Sequence, residues 1–142
     1  MNFEEDYSAE LERAARRLRA ARSIASIVVI GGGLGLRGFG YDLHLPFVVV
    51  KFGGSVLWGA MVFFLLGSIL SKIDDRKIAF GAFVFAIFIE AFRLFHTPWL
   101  DAFRLTIPGA LLIGRVFSLW NILAYGVGIA LAALIDRRYL RN

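Results

Sequence analysis

The side chains able to do chemistry gather in one stretch. Residues 90–125 read E-A-F-R-L-F-H-T-P-W-L-D-A-F-R-L-T-I-P-G-A-L-L-I-G-R-V-F-S-L-W-N-I-L-A-Y, which sets Glu90, Arg93, Arg104, Arg115, Asn121 and Tyr125 inside strongly apolar sequence. A carboxylate among guanidinium groups can recognise an anion through forked hydrogen bonds, or it can neutralise its neighbours as a structural strut. In either role such groups are expensive beside lipid and need a reason to be there. Earlier in the chain, Lys51, Ser55 and Trp58 fall at i, i+4 and i+7, so they share one helix face, as do Glu90 with Arg93 and Asn121 with Tyr125. Arg37 closes the first apolar run.

Enzymatic chemistry finds less support. Ser55, Ser118, His44, His96 and Glu90 lack any diagnostic nucleophile–base spacing. The two histidines with Asp42 and Asp101 lack metal-ligand spacing. No cysteine is present, which excludes disulfides and thiolate sites. The reading is therefore of a non-enzyme, with no catalytic residue, metal or cofactor assigned.

The elements that must position these residues follow from composition. Of 142 residues, 58 % are hydrophobic and 15 % aromatic, more than one soluble domain needs to fill its core. The net charge is +5, yet the basic residues flank apolar runs and form no aromatic-interleaved surface, so nucleic acid is not an expected partner. The fold class expected is an all-α membrane protein, a single domain over residues 1–142. It has four transmembrane helices, a basic N-terminal extension, and a re-entrant or interfacial segment between helices 3 and 4.

Residues 1–23 are expected to form a basic amphipathic helix, capped at Ser8 and held at anionic headgroups by Arg13, Arg16, Arg17, Arg19 and Arg22. Acidic residues Glu4, Glu5 and Asp6 precede the basic ones and no small-residue cleavage site follows, so the first span is expected to be retained. The spans are placed at about residues 24–39, 47–70, 78–95 and 117–135. Gly31, Gly32, Gly33 and Gly35 are expected to let a neighbouring helix approach closely. Pro46 opens the second span. Between the third and fourth spans, Asp101 and Arg104 are three apart and able to pair, and residues 106–114 are too apolar for a solvated loop and too short to cross.

Four spans put both termini and residues 71–77 on one side. That side carries eleven cations: the five arginines above with Lys72, Arg76, Lys77, Arg137, Arg138 and Arg141. The positive-inside rule then makes both termini cytoplasmic, in a bacterial inner membrane. At roughly 1.5 Å per residue the polar groups of all four helices fall at similar depth in the outer half. They are expected to line a cavity between the four helices, roofed by residues 96–116. Its cations, Arg37, Lys51, Arg93, Arg104 and Arg115, outnumber Asp42, Glu90 and Asp101.

At these residues the chain resembles an uncharacterised bacterial family of small four-helix inner-membrane proteins classed as a domain of unknown function (DUF). The likeness rests on Lys51-Phe-Gly-Gly-Ser55-Val-Leu-Trp58, on Arg104-Leu-Thr106-Ile-Pro-Gly109 leading to Gly114-Arg115-Val-Phe117, and on Trp120-Asn121-Ile-Leu-Ala-Tyr125-Gly-Val-Gly128. More distantly it is similar to VanZ-like proteins, whose pattern Glu90, Arg115 and Gly128 match. Asn121 and Ser55 stand where those patterns favour aspartate, which makes the site more positive. The resemblance implies architecture rather than activity.

The function expected is binding of an anionic lipid or cell-envelope precursor headgroup. Arg37, Lys51, Arg93 and Arg115, with Arg104 nearby, are expected to face the anion. Glu90 orients the arginines, while Ser55, Trp58, Asn121 and Tyr125 complete the wall. The expected partners are membrane lipids, among them an anionic lipid or a lipid-linked envelope intermediate. Alternative readings are a small transporter or transporter subunit, and a structural partner of another membrane protein.

Overall fold

The computed structural model describes residues 3–141, apart from the side chain of Leu111. Among them are six α-helices and no strand: α1 Phe3–Phe39, α2 Phe47–Ile69, α3 Asp75–Phe92, α4 Pro98–Arg104, α5 Ile107–Leu112 and α6 Leu119–Ile135. A π-helical turn, Asp136–Leu140, prolongs α6.

The basic extension and the first span are one helix. α1 runs for 37 residues, about 55 Å, because alanine and arginine carry helix propensity across the join at residues 20–25. Residues 1 and 2 of the expected extension lie outside the described residues. Ser8 does not cap this helix: it lies beyond the first turn, which holds Glu4, Glu5 and Asp6, and its hydroxyl donates back to the Glu5 carbonyl at 2.9 Å. Pro46 stands just before α2, where its carbonyl accepts from the Val49 and Val50 N–H groups. In the turn before it, His44 takes a left-handed φ of 58°, which reverses the chain between α1 and α2.

Three helical stretches are long and apolar enough to cross a membrane: Phe3–Phe39, Phe47–Ile69 and Leu119–Leu140. α3 has 18 residues and carries Asp75, Arg76, Lys77 and Glu90 at its ends. It closes at Phe92 and α6 opens at Leu119, so both stop short of the expected bounds.

α2 is the centre of the bundle. It packs against α1, α3 and α6; α3 also packs on α6, whereas α1 touches α2 and the π turn. Phe63 of α2 fills the core beside Ile78, Ala82 and Ala86 of α3 and Ile129 and Ala132 of α6, where small residues admit a large ring. Helices α2 and α6 cross in backbone contact. A Cβ on Gly128 would run into the Val56 carbonyl, and one on Gly59 into the Tyr125 carbonyl.

The glycines of α1 do not serve that purpose, contrary to the sequence-based expectation. Gly31 and Gly35 have nothing within 4 Å, and Gly32 and Gly33 meet only Leu57, at 4.0 and 3.9 Å. Gly33 lines the cavity described below.

At the end of the bundle where α1 enters and α6 leaves, here the near end, a second correction applies. Arg22 does not face headgroups. It is fully buried, with Nε and Nη2 donating to the two oxygens of Asp136 at 2.7 and 2.6 Å and Nη1 donating to the Gly67 carbonyl at 2.8 Å. Asp75, placed by its sequence in a polar loop, is also buried, and Arg137 donates to it at 2.9 and 2.8 Å. Two weaker contacts, Arg19 to Ser71 at 3.4 Å and Ser23 to Ser68 at 3.3 Å, complete the attachment of α1 there.

Candidate functional site

At the far end, the last turn of α3 delivers Glu90 to the start of α6. Glu90 is sealed from solvent and its two oxygens are fully used. Oε1 accepts from the Ser118 N–H at 2.7 Å and Asn121 Nδ2 at 3.2 Å; Oε2 accepts from the Tyr125 hydroxyl at 3.0 Å and meets Arg93 Nη1 at 2.8 Å. Ser118 holds the N-cap position of α6 without a side-chain capping bond, so the carboxylate takes up one of that helix's unpaired first N–H groups, where the helix dipole favours negative charge. The i, i+4 spacing of Asn121 and Tyr125 lets both reach the same carboxylate.

Arg93 is tied down as firmly. Besides Glu90, its guanidinium donates to the Ile113 and Val116 carbonyls, holding the segment that follows α5. Gly114 makes this possible: its φ is +72°, and a Cβ there would come within 2.7 Å of the guanidinium carbon. Thr106 caps α5 by accepting from the Gly109 N–H at 3.2 Å, so Pro108 and Gly109 lie within a short helix and do not break it.

A cavity of about 700 Å³ opens between α1, α2, the start of α6 and residues 108–116. Arg37, Lys51, Ser55, Trp58, Arg93, Arg115, Asn121 and Tyr125 all line it. Glu90 lies behind Arg93, Asn121 and Tyr125 and does not reach the cavity wall. Arg104 is elsewhere: its Nη1 meets Asp101 at 3.0 Å, the pair that their spacing predicts, and its Nη2 donates to the Phe92 carbonyl at 2.9 Å, securing α4 to the end of α3. His96 meets the same Asp101 at 3.1 Å. No group of three histidine, aspartate or glutamate side chains suited to a metal ion occurs among the described residues.

The enclosure differs from the expected one. No residue of α3 lines it, only Arg93 just past its end, and α4 contributes nothing, so the roof is residues 108–116 and α1 forms a whole wall. Of that wall, the sequence pointed to Arg37 alone and did not mark Val29, Ile30, Gly33 or Leu34 as lining. Its signal was present, since i, i+1, i+4, i+5 and i+8 trace one helix stripe.

Charge divides the lining in two. Arg93 is neutralised by Glu90. Among the described residues no carboxylate pairs with Arg37, Lys51 or Arg115, and all three are exposed. Lys51 Nζ lies 5.6 and 5.4 Å from the Phe47 and Phe52 rings, contacts that leave its charge uncompensated. Toward the near end the lining is apolar: Val29, Ile30, Leu57 and Met61. Between the two zones, Ser55 Oγ lies 3.3 Å from both the Lys51 carbonyl and Asn121 Oδ1. Trp58 packs against Tyr125, with centroids 4.7 Å apart, and stacks on Phe85 at 6.5 Å. Three free cations above an apolar floor can hold an amphiphile with an anionic head.

Residues 44–129, more than half of the chain, match the model of the family described as Protein of unknown function (DUF2809), and the chain belongs to that family. The matched stretch contains every cavity cation except Arg37. No solved structure matches the chain.

Proposed function

We propose, from the premise of membership in that family, that this is a multi-pass protein of a bacterial inner membrane whose far-end cavity binds the headgroup of an anionic lipid or a lipid-linked envelope intermediate. The observation that carries the reading is the set of three unpaired cations, Arg37, Lys51 and Arg115, on one cavity with an apolar floor. Guanidinium forks match phosphate oxygens, and uncompensated charge at membrane depth favours an anionic partner. Arg93 and Glu90 form the neutral strut behind these cations, and Asn121 and Tyr125 complete the wall.

In this reading α3 is a fourth span beside the three long apolar helices, and both termini are cytoplasmic. α3 has an uninterrupted apolar run over residues 78–89, and Glu90 beyond it is paired. The near end holds eleven of the basic residues, as the positive-inside rule requires of a cytoplasmic face.

The test is lipid mass spectrometry on protein purified from membranes. Anionic lipid is expected to be enriched over the bulk composition, and the double substitution Arg37→Gln, Arg115→Gln is expected to lower its retention by about tenfold, two solvent-screened ion pairs of about 0.7 kcal/mol each being lost. Glu90→Gln is expected to lower thermal stability while lipid stays bound, because it removes negative charge from behind the site. Absence of enrichment, or retention unchanged in the double variant, overturns the proposal.

A further inference from the structure

The donors around the cavity stand at two levels. Lys51 and Trp58 share a face of α2 and are seven residues apart, so their backbones are separated by about 10 Å along the helix. Arg37, Lys51 and Arg115 supply charge at the upper level. At the lower level, beside Ile30, Leu57 and Met61, the indole Nε1–H of Trp58 is buried and has no acceptor among the described residues.

An unmade buried donor is costly, and a phenylalanine would fill the same wall without that cost. The ring is also held in place, packed on Tyr125 and stacked on Phe85. Nε1 is sealed from water within the cavity wall, so an acceptor reaches it only when an occupant displaces the side chains around the indole. Apolar packing on α2 alone holds the facing wall: among the described residues no side-chain hydrogen bond joins residues 27–39 of α1 to the rest of the bundle.

We infer, building on the lipid reading above, that Trp58 Nε1–H donates to an ester carbonyl of a diacyl glycerophospholipid whose phosphate is held by Arg37, Lys51 and Arg115. In such a lipid the ester carbonyls lie one glycerol backbone beneath the phosphate, at the head of the acyl chains. A prenyl phosphate has only hydrocarbon at that depth and leaves the indole unpaired. The site thus selects an acyl glycerophospholipid over a prenyl-linked intermediate.

The experiment compares dioleoyl phosphatidylglycerol, its dialkyl ether analogue with the same headgroup but no carbonyl, and a prenyl monophosphate. Each is titrated against the full chain in nanodiscs of zwitterionic lipid and read by native mass spectrometry. The diester is expected to bind between about two- and tenfold more tightly than the diether, the range of one hydrogen bond, and more tightly than the prenyl phosphate. In Trp58→Phe the ester-to-ether ratio is expected to fall to about one. A ratio of one in the wild type overturns the inference without needing any variant to fold. So does a ratio unchanged by Trp58→Phe, or preference for the prenyl phosphate. If none of the three anionic probes binds, the lipid reading itself falls along with this refinement.

Discussion

Arg22 and Asp136, 114 positions apart in the chain, form a two-pronged ion pair at 2.7 and 2.6 Å with neither side chain exposed. Gly67 of α2 completes the joint, accepting from Arg22 through its carbonyl and leaving room for the guanidinium stem to cross, since a Cβ there would sit 3.0 Å from Arg22 Cδ. One guanidinium thereby joins α1, α2 and the end of α6. The π turn contributes as well. Its wider winding, closed by the Arg141 N–H on the Asp136 carbonyl at 3.0 Å, begins at the residue that Arg22 binds.

Removing either partner leaves a buried charge alone. Arg22→Ala or Asp136→Ala is expected to cost about 3–5 kcal/mol, while the paired replacement Arg22→Leu, Asp136→Leu costs distinctly less because no charge is stranded. Thermal unfolding in detergent, followed by loss of the monodisperse peak, reads the difference. Equal melting of the single variants and the wild type would contradict a buried pair.

Asp75 gives the near end a dependence on pH. Burial pushes its carboxyl up, but the hydrogen bonds from Arg137 and the charges of Arg137 and Arg141 outweigh this and hold it below the ordinary value of 3.8. A depressed folded value means that the carboxylate's contribution is complete above the unfolded pKa and is lost as pH falls through the folded one. The melting temperature of Asp75→Asn is therefore expected to lie below that of the wild type at neutral pH. The gap is expected to stay constant down to about pH 5 and to close below about pH 4. A gap that widened on acidification would reverse the sign and refute the assignment.

Two glycines of similar appearance are expected to behave oppositely. Gly128→Ala forces α6 away from the Val56 carbonyl and is expected to destabilise by more than about 2 kcal/mol, as overpacking does. Gly31→Ala meets nothing and is expected to be neutral or to gain up to about 1 kcal/mol of helix propensity. Paired melting curves suffice to compare them. Comparable losses in both would show α1 packed more tightly than described.

Much of the far end was legible because it is written in local spacing. Asn121 and Tyr125 reach one carboxylate since they are four apart on a helix, Glu90 meets Arg93 at three, and Asp101 meets Arg104 at three. Depth counted from the ends of the apolar runs also brought Arg37, Lys51 and Ser55 to that level. Spacing could not separate the arginines by role. Arg93 became a strut because Gly114 folds a loop onto it, and Arg104 left the site because α4 turns it back onto the end of α3.

The sequence by itself determined that this chain is helical and membrane-like, that it belongs to its family's pattern, and that cations outnumber acids in its far half. Those properties follow from composition and from contacts within one or two helical turns. The tertiary structure alone decided which charges are free. Whether Arg22 faces headgroups or Asp136, and whether glycines close a helix crossing or open a cavity, depends on the rotation and crossing point of helices far apart in the chain. A difference of a third of a turn reverses the outcome, and no local periodicity records it.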